Sequence, residues 1–368
     1  MVTQPSTSPQ LEPLENLRSA INDIDDKILD LLLQRQQKST EIGKLKKEKG
    51  LEVFDPAREE KVLDRLAAKA QDILAPESVR GIFMEIIKNS RLAQQPLSVA
   101  FLGPEGTFSH QAVLSVYGAG TYCRPAESIE EIFKLVEKDI CRQGMVPVEN
   151  SFEGSIAQTL DLFFQYNLNV AAETFVRIRN HLVTRAENLD QIKRIYSHPM
   201  PIAQCRSWIK GNLPRAELHE VGSTSVAVKL AAEDPEAAAI AGSLAAEIYQ
   251  MKILMESIED HPHNVTRFLS LGKSDSKPSG RDKTTFLFSL KHEPGSLHSA
   301  LAPLAEREIN ITHLESRPMK VRTWEYLFYA DIEGHREEER IKEALSMMNP
   351  HCAFMKVLGS YPAGRRES

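Results

Sequence analysis

The sequence has few cysteines, and none of them are paired in a motif that binds metal or forms a local disulfide. Its four cysteines, Cys123, Cys141, Cys205 and Cys352, are scattered over 368 residues without a C-x-x-C motif. Small disulfide-stabilised folds and structural zinc sites both depend on closely spaced cysteines. The sequence therefore predicts a protein with reduced thiols and no zinc centre.

Long apolar runs are also missing. A membrane-spanning helix needs about 20 mostly apolar residues, and no uninterrupted apolar stretch reaches about 18. Residues 1–10 are rich in Ser, Thr, Pro and Gln and have no apolar core. They predict a disordered tail and not a signal peptide. We expect a cytoplasmic protein without a membrane partner.

Nucleotide-binding fingerprints and strong positive charge are absent as well. No Gly-rich run matches a dinucleotide-binding loop, and Gly103–His110 lacks the Gly-Lys-Ser/Thr ending of a P-loop. The net charge of −6 argues against a nucleic-acid partner, because such proteins usually carry a basic surface. No spacing of His, Cys and carboxylates indicates a metal site. We therefore expect no metal and no cofactor.

The composition that remains is that of a multidomain globular protein. Apolar residues make up 42% and charged residues 26% of the chain. Because single cores rarely grow beyond about 250 residues, a chain of this length predicts two or three domains. Three regions of different pattern follow the N-terminal tail.

The first region, residues 11–96, is predicted to be helical. Residues 14–49 contain no proline, and apolar residues recur at spacings of three and four. Asp55 and Pro56 predict the capped start of a second helix, and a third helix follows Pro76. One of these helices is over 30 residues long, so the three cannot bury their apolar faces in a compact monomer. An intertwined homodimer, or a higher homo-oligomer, is the expected solution.

Cations and neutral polar groups lie where these helices should be apolar. Arg35 interrupts the apolar stripe of the first helix, and Lys46 lies within roughly 20° of Arg35 around the helix axis. Ser90 and Gln94 continue the apolar stripe of the third helix at i, i+4. Arg18 is about 25 Å from Arg35 along the axis, so it could reach the same site only in a partner chain. Each residue alone fits a solvated helix end, but the set predicts a site for a small dianion.

At these positions the region resembles the all-helical chorismate mutase family, which rearranges chorismate to prephenate without a cofactor. The resemblance implies that Arg35, and Arg18 of the partner subunit, bind the two carboxylates of chorismate. It implies that Lys46 and Gln94 hydrogen-bond the ether oxygen as negative charge develops there. The remaining matched residues would hold the ring, the hydroxyl and a carboxylate: Asp55, Arg58, Glu59 and Ser90.

The second region, residues 97–272, has the pattern of an α/β fold. Short apolar strands alternate with helical stretches and Gly-rich turns. Gly103–His110 and Gly222–Ser225 each follow a strand and open a helix, so their N–H groups could bind carboxylates. An ordinary helix cap explains Gly222–Ser225 equally well on local grounds.

This region ends with Asn264-Val265-Thr266-Arg267-Phe268. In a strand Thr266 and Phe268 share one face while Arg267 points to the other. Alone, the tripeptide fits a strand end with an exposed Arg. Together with Gly103–His110, Pro147–Ser151 and Ser197–Pro199, it resembles prephenate dehydratase, an enzyme with two α/β lobes like a periplasmic binding protein.

The dehydratase resemblance implies a role for several residues. Thr266 would donate to the leaving hydroxyl, and Arg267 would support a substrate carboxylate. His198 suggests a general base, although Ser-His-Pro more often shapes a turn. The other matched positions would line the cleft: Asn150, Ser197, Gln204, Ser223 and Thr224.

The third region, residues 284–362, follows a linker at 273–283 and precedes a short tail at 363–368. Its predicted strand and helix order, βαββαβ, is that of an α+β ferredoxin-like fold. Two motifs resemble the regulatory ACT domain, which binds phenylalanine between two copies. The residues implied are Gly295, Ser296, Leu297, Glu315, Ser316, Arg317 and Pro318. Ser296 stands where the family often has Ala.

The three regions together resemble the family of bifunctional chorismate mutase/prephenate dehydratases, with feedback inhibition by phenylalanine. A mutase/dehydrogenase fusion is a rival interpretation, but it requires the nucleotide fingerprint that this sequence lacks. A non-enzymatic amino-acid sensor with a two-lobed binding module is a second alternative. Nothing in the residues decides whether arogenate is also a substrate.

The identity of Gln94 generates a prediction for pH dependence. Because its carboxamide is neutral at every working pH, the mutase rate should be nearly constant from mildly acidic to mildly basic pH. A pH profile of chorismate consumption measures this. A steep loss of rate above neutral pH would contradict the role given to Gln94.

Overall fold

The computed structural model describes residues 12–51, 53–70, 74–94, 97–318 and 326–364. The predicted tail at 1–10, and residues 365–368 of the predicted tail at 363–368, lie outside the described residues.

Three helices form the N-terminal region, called the helical region here: α1 (Glu12–Glu48), α2 (Pro56–Ala67) and α3 (Pro76–Gln94). The predicted cap of α2 is confirmed, because the Asp55 carboxylate accepts a hydrogen bond from the Arg58 N–H at 3.0 Å and Pro56 is the first helical residue. α3 packs against both α1 and α2. Exposed apolar residues line the N-terminal half of α1: Leu14, Leu17, Ile21, Ile24, Ile28 and Leu31.

The middle region has two lobes, each built on a sheet. The first sheet has the order β2-β1-β3-β11-β5, with β4 beside β3. Its strands are β1 (Ser98–Leu102), β2 (Tyr122–Ala126), β3 (Gln143–Asn150), β4 (Gly154–Ser155), β5 (Asn169–Arg177) and β11 (Val265–Gly272). The helices of this lobe are α4 (Phe108–Tyr117), α5 (Ile129–Glu137) and α6 (Ala157–Gln165).

The second lobe is inserted between β5 and β11, so the chain crosses between the lobes twice. Its sheet has the order β10-β6-β9-β7-β8. The strands are β6 (His181–Thr184), β7 (Arg194–Ser197), β8 (Glu217–Glu220), β9 (Ala237–Ala241) and β10 (Lys252–Met255). The helices are α7 (Pro199–Gln204), α8 (Arg206–Asn212), α9 (Thr224–Glu233) and α10 (Ser243–Ile248). The two-lobed α/β prediction is confirmed.

The C-terminal region confirms the predicted ferredoxin-like order. Its elements are β12 (Asp282–Leu290), α11 (Ser296–Ala305), β13 (Ile311–Pro318), β14 (Tyr326–Glu333), α12 (Glu339–Met348) and β15 (Cys352–Pro362). The sheet is antiparallel in the order β13-β14-β12-β15, which leaves β13 at an edge.

The C-terminal sheet packs directly on the first lobe. Tyr329 and Tyr361 lie in the same buried apolar cluster as Phe163 and Leu269. β15 approaches β5 so closely that a Cβ added at Gly359 would lie 2.4 Å from the Val170 carbonyl oxygen. Glycine is therefore required at this contact, and the two regions share one core.

Candidate active sites

The strongest candidate site lies where β3 and β11 meet at the end of the first sheet. Asn150 and Thr266 are cross-strand partners, and both are buried. The Asn150 amide nitrogen donates to the Thr266 hydroxyl oxygen at 2.9 Å and to the Asn264 side-chain oxygen at 2.8 Å. Asn264, for which the sequence predicted no role, is 2% exposed.

The surrounding backbone determines which way the Asn150 amide points. Its oxygen accepts from the N–H groups of Phe152 at 3.0 Å and Glu153 at 3.2 Å. An amide oxygen occupied in this way must face those donors, so the NH₂ group faces Thr266. Because the Thr266 oxygen accepts this hydrogen bond, its own proton is available to donate to another molecule.

A cavity lies next to Asn264, the second hydrogen-bond partner of Asn150. It has a volume of about 420 Å³, and its lining includes Asn264, Gln204, Phe152, Met200 and His261. The Gln204 side-chain oxygen accepts from the Asn180 amide at 3.1 Å. Asn180 is completely buried, and its own side-chain oxygen has no hydrogen-bond partner among the described residues.

Ser197 and His198 end β7 and begin α7. The buried Ser197 hydroxyl donates to the Ile240 carbonyl at 2.7 Å. The His198 Nδ1 accepts from the Met200 N–H at 3.3 Å and caps α7. The structure thus gives His198 the turn-shaping role, and it leaves the Ser197 oxygen free to act only as an acceptor.

The two predicted anion-binding helix starts come from opposite lobes and touch each other. The Ser223 oxygen accepts from the Val226 N–H at 3.1 Å and caps α9, with Thr224 as the buried first residue. The Ser225 hydroxyl donates to the Glu105 carbonyl. Gly106 has φ +85°, and a Cβ there would lie 2.9 Å from the Ser225 oxygen. The loop before α4 therefore closes against the start of α9.

Arg267 does not join this site, and the prediction that it supports a substrate carboxylate is corrected. Its guanidinium points away from Thr266 and is 4% exposed. Its Nε donates to Glu173 at 2.8 Å, its Nη1 to Asp331 at 2.5 Å and its Nη2 to the Tyr361 hydroxyl at 3.0 Å. The physical reason is side-chain alternation along β11, which sends Arg267 to the face covered by the C-terminal region.

Arg267 stays protonated despite its burial. Burial alone would lower the pKa of the guanidinium, but Tyr361, Asp331 and Glu173 raise the pKa well above its ordinary value. A buried cation with this many acceptors cannot also bind a ligand on the opposite face of the sheet.

A second candidate site lies between the C-terminal half of α1 and α3. Arg35 donates to the Ser90 hydroxyl and, at 3.4 Å, to the Ile86 carbonyl. Burial lowers the pKa of Arg35. Gln94 packs over Gly43, where an added Cβ would lie 2.7 Å from the Gln94 Cα. The Gln94 side-chain oxygen is buried and has no hydrogen-bond partner among the described residues.

α2 completes this second site. Burial raises the pKa of Glu59, and nearby Arg91, Asp55 and Lys46 modify it. The Lys46 ammonium donates to the Val53 carbonyl at 3.1 Å. The Arg58 side chain is exposed, and its backbone N–H donates to the Asp55 carboxylate. Arg18 is also exposed, on the far half of α1.

Arg91 is a residue that the sequence did not single out. It is 4% exposed, and its Nε lies 3.0 Å from the Glu59 carboxylate. Its guanidinium stacks 4.8 Å from the Phe54 ring centroid and 5.6 Å from that of Tyr117 in α4. Arg91 therefore joins the second site to the first lobe. No periodicity predicts it, since its partners lie in two separate segments of the chain, at residues 54–59 and at residue 117.

The C-terminal motifs occupy an end of α11 and the edge strand β13. Gly295, at φ +80°, precedes α11, and the Ser296 hydroxyl donates to the Glu293 carbonyl at 2.8 Å. Leu297 is exposed. The Arg317 Nε lies 3.4 Å from the Asp161 carboxylate of α6. Of the other motif residues, Glu315 is half-buried, whereas Ser316 and Pro318 are exposed.

Among the described residues, no group of three or more His, Cys, Asp or Glu side chains could hold a metal ion. No helix in the described parts of the chain is long and apolar enough to cross a membrane. The cytoplasmic location expected from the sequence stays a prediction.

Comparison with known proteins agrees with all three regions. Residues 17–95 match the family model for chorismate mutase type II, residues 99–276 that for prephenate dehydratase, and residues 284–346 that for the ACT domain.

Proteins that are similar to this chain over almost their whole length share one description. The chain is 39% identical over 356 residues to a bifunctional chorismate mutase/prephenate dehydratase of Aquifex aeolicus, covering 96% of this chain and 98% of that protein. It is 40% identical over 348 residues to the Neisseria gonorrhoeae protein of that description, covering 94% and 96%. A solved Arthrobacter aurescens prephenate dehydratase in complex with L-Phe superposes with a TM-score of 0.67 at 33% identity, over 73% of this chain and 90% of that one.

The orientation of the Asn150 amide generates a prediction for the expected dehydration of prephenate. In Asn150→Asp the donor to Thr266 is lost, and the new carboxylate accepts the Thr266 proton. We expect kcat to fall by about 100-fold with little change in KM. Asn264→Asp is the matched control, because it adds the same charge while residue 264 still accepts from Asn150. Steady-state kinetics with prephenate compare them, and equal losses in both variants would refute the donor role.

Proposed function

We infer that this chain, which belongs to the family of bifunctional chorismate mutase/prephenate dehydratases, carries out its two reactions with two separate sets of side chains. The enzyme converts chorismate to prephenate and prephenate to phenylpyruvate. The observation that carries the assignment of residues is the Asn150–Thr266 pair, in which one hydroxyl proton is left free to donate. Asn264, the second hydrogen-bond partner of Asn150, lines the neighbouring cavity.

Dehydration requires an acid for the leaving hydroxyl group. As the ring C–O bond breaks, the bond to the ring carboxylate breaks too, and its electron pair makes the ring aromatic while CO₂ leaves. Thr266 donates its proton to the departing hydroxyl group, which leaves as water. Solvent then returns a proton to the Thr266 oxygen. The Asn150 amide donates to the Thr266 oxygen, which leaves the Thr266 proton free to donate to the substrate. The hydroxyl is therefore oriented as a donor before the substrate binds.

We propose that the cleft between the lobes holds the substrate carboxylates. The starts of α4 and α9 supply backbone N–H groups there, with Ser223 and Thr224 at the second start. Gln204 lines the cavity beside Asn264, and the Ser197 oxygen can accept a hydrogen bond. Closure of the two lobes would exclude water from the reacting ring.

The rearrangement of chorismate needs orientation and charge stabilisation only. We propose that Arg35, held by Ser90, binds one carboxylate, while Lys46 and Gln94 hydrogen-bond the ether oxygen. The Gln94 NH₂ group would donate to the ether oxygen, and the buried Gln94 oxygen, which has no partner among the described residues, could accept from a donor of the ligand. Asp55 and Glu59 lie toward the hydroxyl side. Arg58, which is exposed in the single chain, would support a carboxylate.

We propose that phenylalanine regulates the enzyme through the C-terminal region. β13 is an edge strand, so its free edge and the nearby start of α11 can face a second copy. The residues proposed for the effector are Gly295, Ser296, Leu297, Glu315, Ser316, Arg317 and Pro318. The L-Phe complex of the Arthrobacter aurescens protein supports this proposal.

We propose that the helical region forms a homodimer that completes the mutase site. Leu17 is 65%, Ile24 53% and Leu31 64% exposed on one stripe of α1, which a second α1 would cover. The same pairing would bring Arg18 of the partner subunit to Arg35.

Complementation between inactive chains tests this shared site. Arg18→Ala and Arg35→Ala chains should each lack mutase activity, yet refolding them together should restore about one quarter of the wild-type rate. Half of randomly formed dimers are mixed, and each mixed dimer contains one intact site of two. The rate of chorismate consumption after mixing is the measurement. No recovery would show that Arg18 serves its own chain or neither site.

Isosteric variants test the dehydratase assignment. Thr266→Val removes the hydroxyl at constant shape and should reduce phenylpyruvate formation by about 10²- to 10⁴-fold, whereas Thr266→Ser should retain much of it. Chorismate is supplied alone, without metal or nucleotide, and prephenate and phenylpyruvate are followed with and without phenylalanine. Prephenate should accumulate in Thr266→Val. A wild-type chain that consumes no chorismate would instead favour the amino-acid sensor.

A further inference from the structure

A pair of contacts joins the C-terminal sheet to the residues directly next to Asn150 and Thr266. Glu149 and Arg267 are cross-strand partners one residue along from Asn150 and Thr266, and they point to the opposite face of the sheet. Arg267 binds Asp331 of β14 at 2.5 Å. Glu149 lies 3.6 Å from the His313 imidazole of β13.

The two C-terminal residues are themselves cross-strand partners. His313 pairs with Asp331 in the register of β13 and β14. Two neighbouring residues of one sheet therefore meet two neighbouring residues of the other. Displacement of β13 against β14 would change both contacts together.

A bulge in β3 makes these contacts consequential for Thr266 and Asn150. Arg267 pairs with Glu149 and Phe268 with Pro147, so β3 carries one extra residue, Val148, whereas β11 stays in regular register with β5 at these positions. A bulge bends a strand and re-aims the adjacent side chains. Arg267 pairs with Glu149 beside this bulge and is the chain neighbour of Thr266, so the position of its guanidinium influences the direction of the Thr266 hydroxyl.

The cluster around Arg267 is balanced in charge and closed to solvent. Glu173 binds Arg267 at 2.7 Å and Lys283 at 2.8 Å. The Thr285 hydroxyl donates to Asp331 at 2.6 Å. Two cations thus face two carboxylates. Removing one member would leave a buried charge unpaired, whereas removing a cation and an anion together keeps the balance.

We propose that Arg267 is a positioning residue: by binding Asp331 it fixes the Thr266 hydroxyl, and this contact transmits the state of the C-terminal region to the dehydratase site. The proposal rests on the proposed function for the identity of the reaction and effector. Arg267 touches no substrate in this scheme. Arg267 follows Thr266 in the chain because its guanidinium is needed at the interface with the C-terminal region, and not because its charge is needed beside a ligand.

The full-length chain tests this with the charge-balanced double variant Arg267→Gln/Asp331→Asn. Its dehydratase kcat should fall by about 10- to 100-fold, because a small displacement of a catalytic group is enough for such a loss. KM for prephenate and the mutase rate should stay within about twofold. The single variants Asp331→Asn and Arg267→Lys should show the same direction of change.

Lys356→Met is the matched control. The Lys356 ammonium also links the two regions, donating to the Phe163 carbonyl at 3.1 Å and the Tyr166 carbonyl at 2.7 Å. This link joins the C-terminal sheet to the end of α6 and not to β11. This variant should retain both kcat and the response to phenylalanine. Comparable thermal unfolding of the control and the double variant would show that the loss is local.

Hydrogen exchange gives a readout that does not depend on catalysis. In the wild type, phenylalanine should change amide exchange in peptides that contain residues 264–268, and Asp331→Asn should abolish that change. Loss of kcat and of this change supports the proposal. A wild-type kcat and a wild-type exchange change in Asp331→Asn would overturn it.

Two further outcomes distinguish a failure of this proposal from a failure of the proposed function. A tenfold rise in KM at unchanged kcat in Arg267→Lys would overturn the proposal and restore Arg267 as a carboxylate ligand. A wild-type chain that forms no phenylpyruvate would defeat the proposed function. The exchange measurement would then still decide whether the Arg267–Asp331 contact couples the two regions.

Discussion

The alternation of side chains along β11 is the constraint on which the rest of the structure depends. This strand lies inside the first sheet, between β3 and β5, with both faces covered. One face presents Thr266 to Asn150 and Phe268 to the core beneath α4. The other presents Arg267 to the C-terminal region. Because the period of a strand is two residues, neighbouring positions must serve different regions of the protein.

β11 also connects to the helical region. The Tyr117 hydroxyl is hydrogen-bonded to that of Ser270, four residues from Thr266. Tyr117 packs against Phe54 at 4.9 Å, and Arg91 lies over both rings. Arg91 in turn pairs with Glu59 of the proposed mutase site. One strand therefore contacts, directly or through a few side chains, both proposed active sites and the C-terminal region.

The helical region differs from β11, whose two faces are both covered, because much of α1 is exposed in a single chain. Its C-terminal half packs on α3 and carries Arg35, whereas its N-terminal half carries Arg18 and an exposed apolar stripe. Helical periodicity was sufficient to predict the helix, whereas the second copy that it also suggests stays a prediction. It could not find Arg91, because a cation–π contact between separate segments leaves no periodic signal.

The sequence by itself determined the elements, their order and the local chemistry: the capped helix at Asp55, the βαββαβ C-terminal order, and the strand that carries Thr266. These features depend on periodicity and on neighbours in the chain. Only the tertiary structure decided what Arg267 binds, which way the Asn150 amide points, and that Asn264 supports it. Strand alternation predicts the face of a side chain, but its partners come from distant segments, and packing alone selects them.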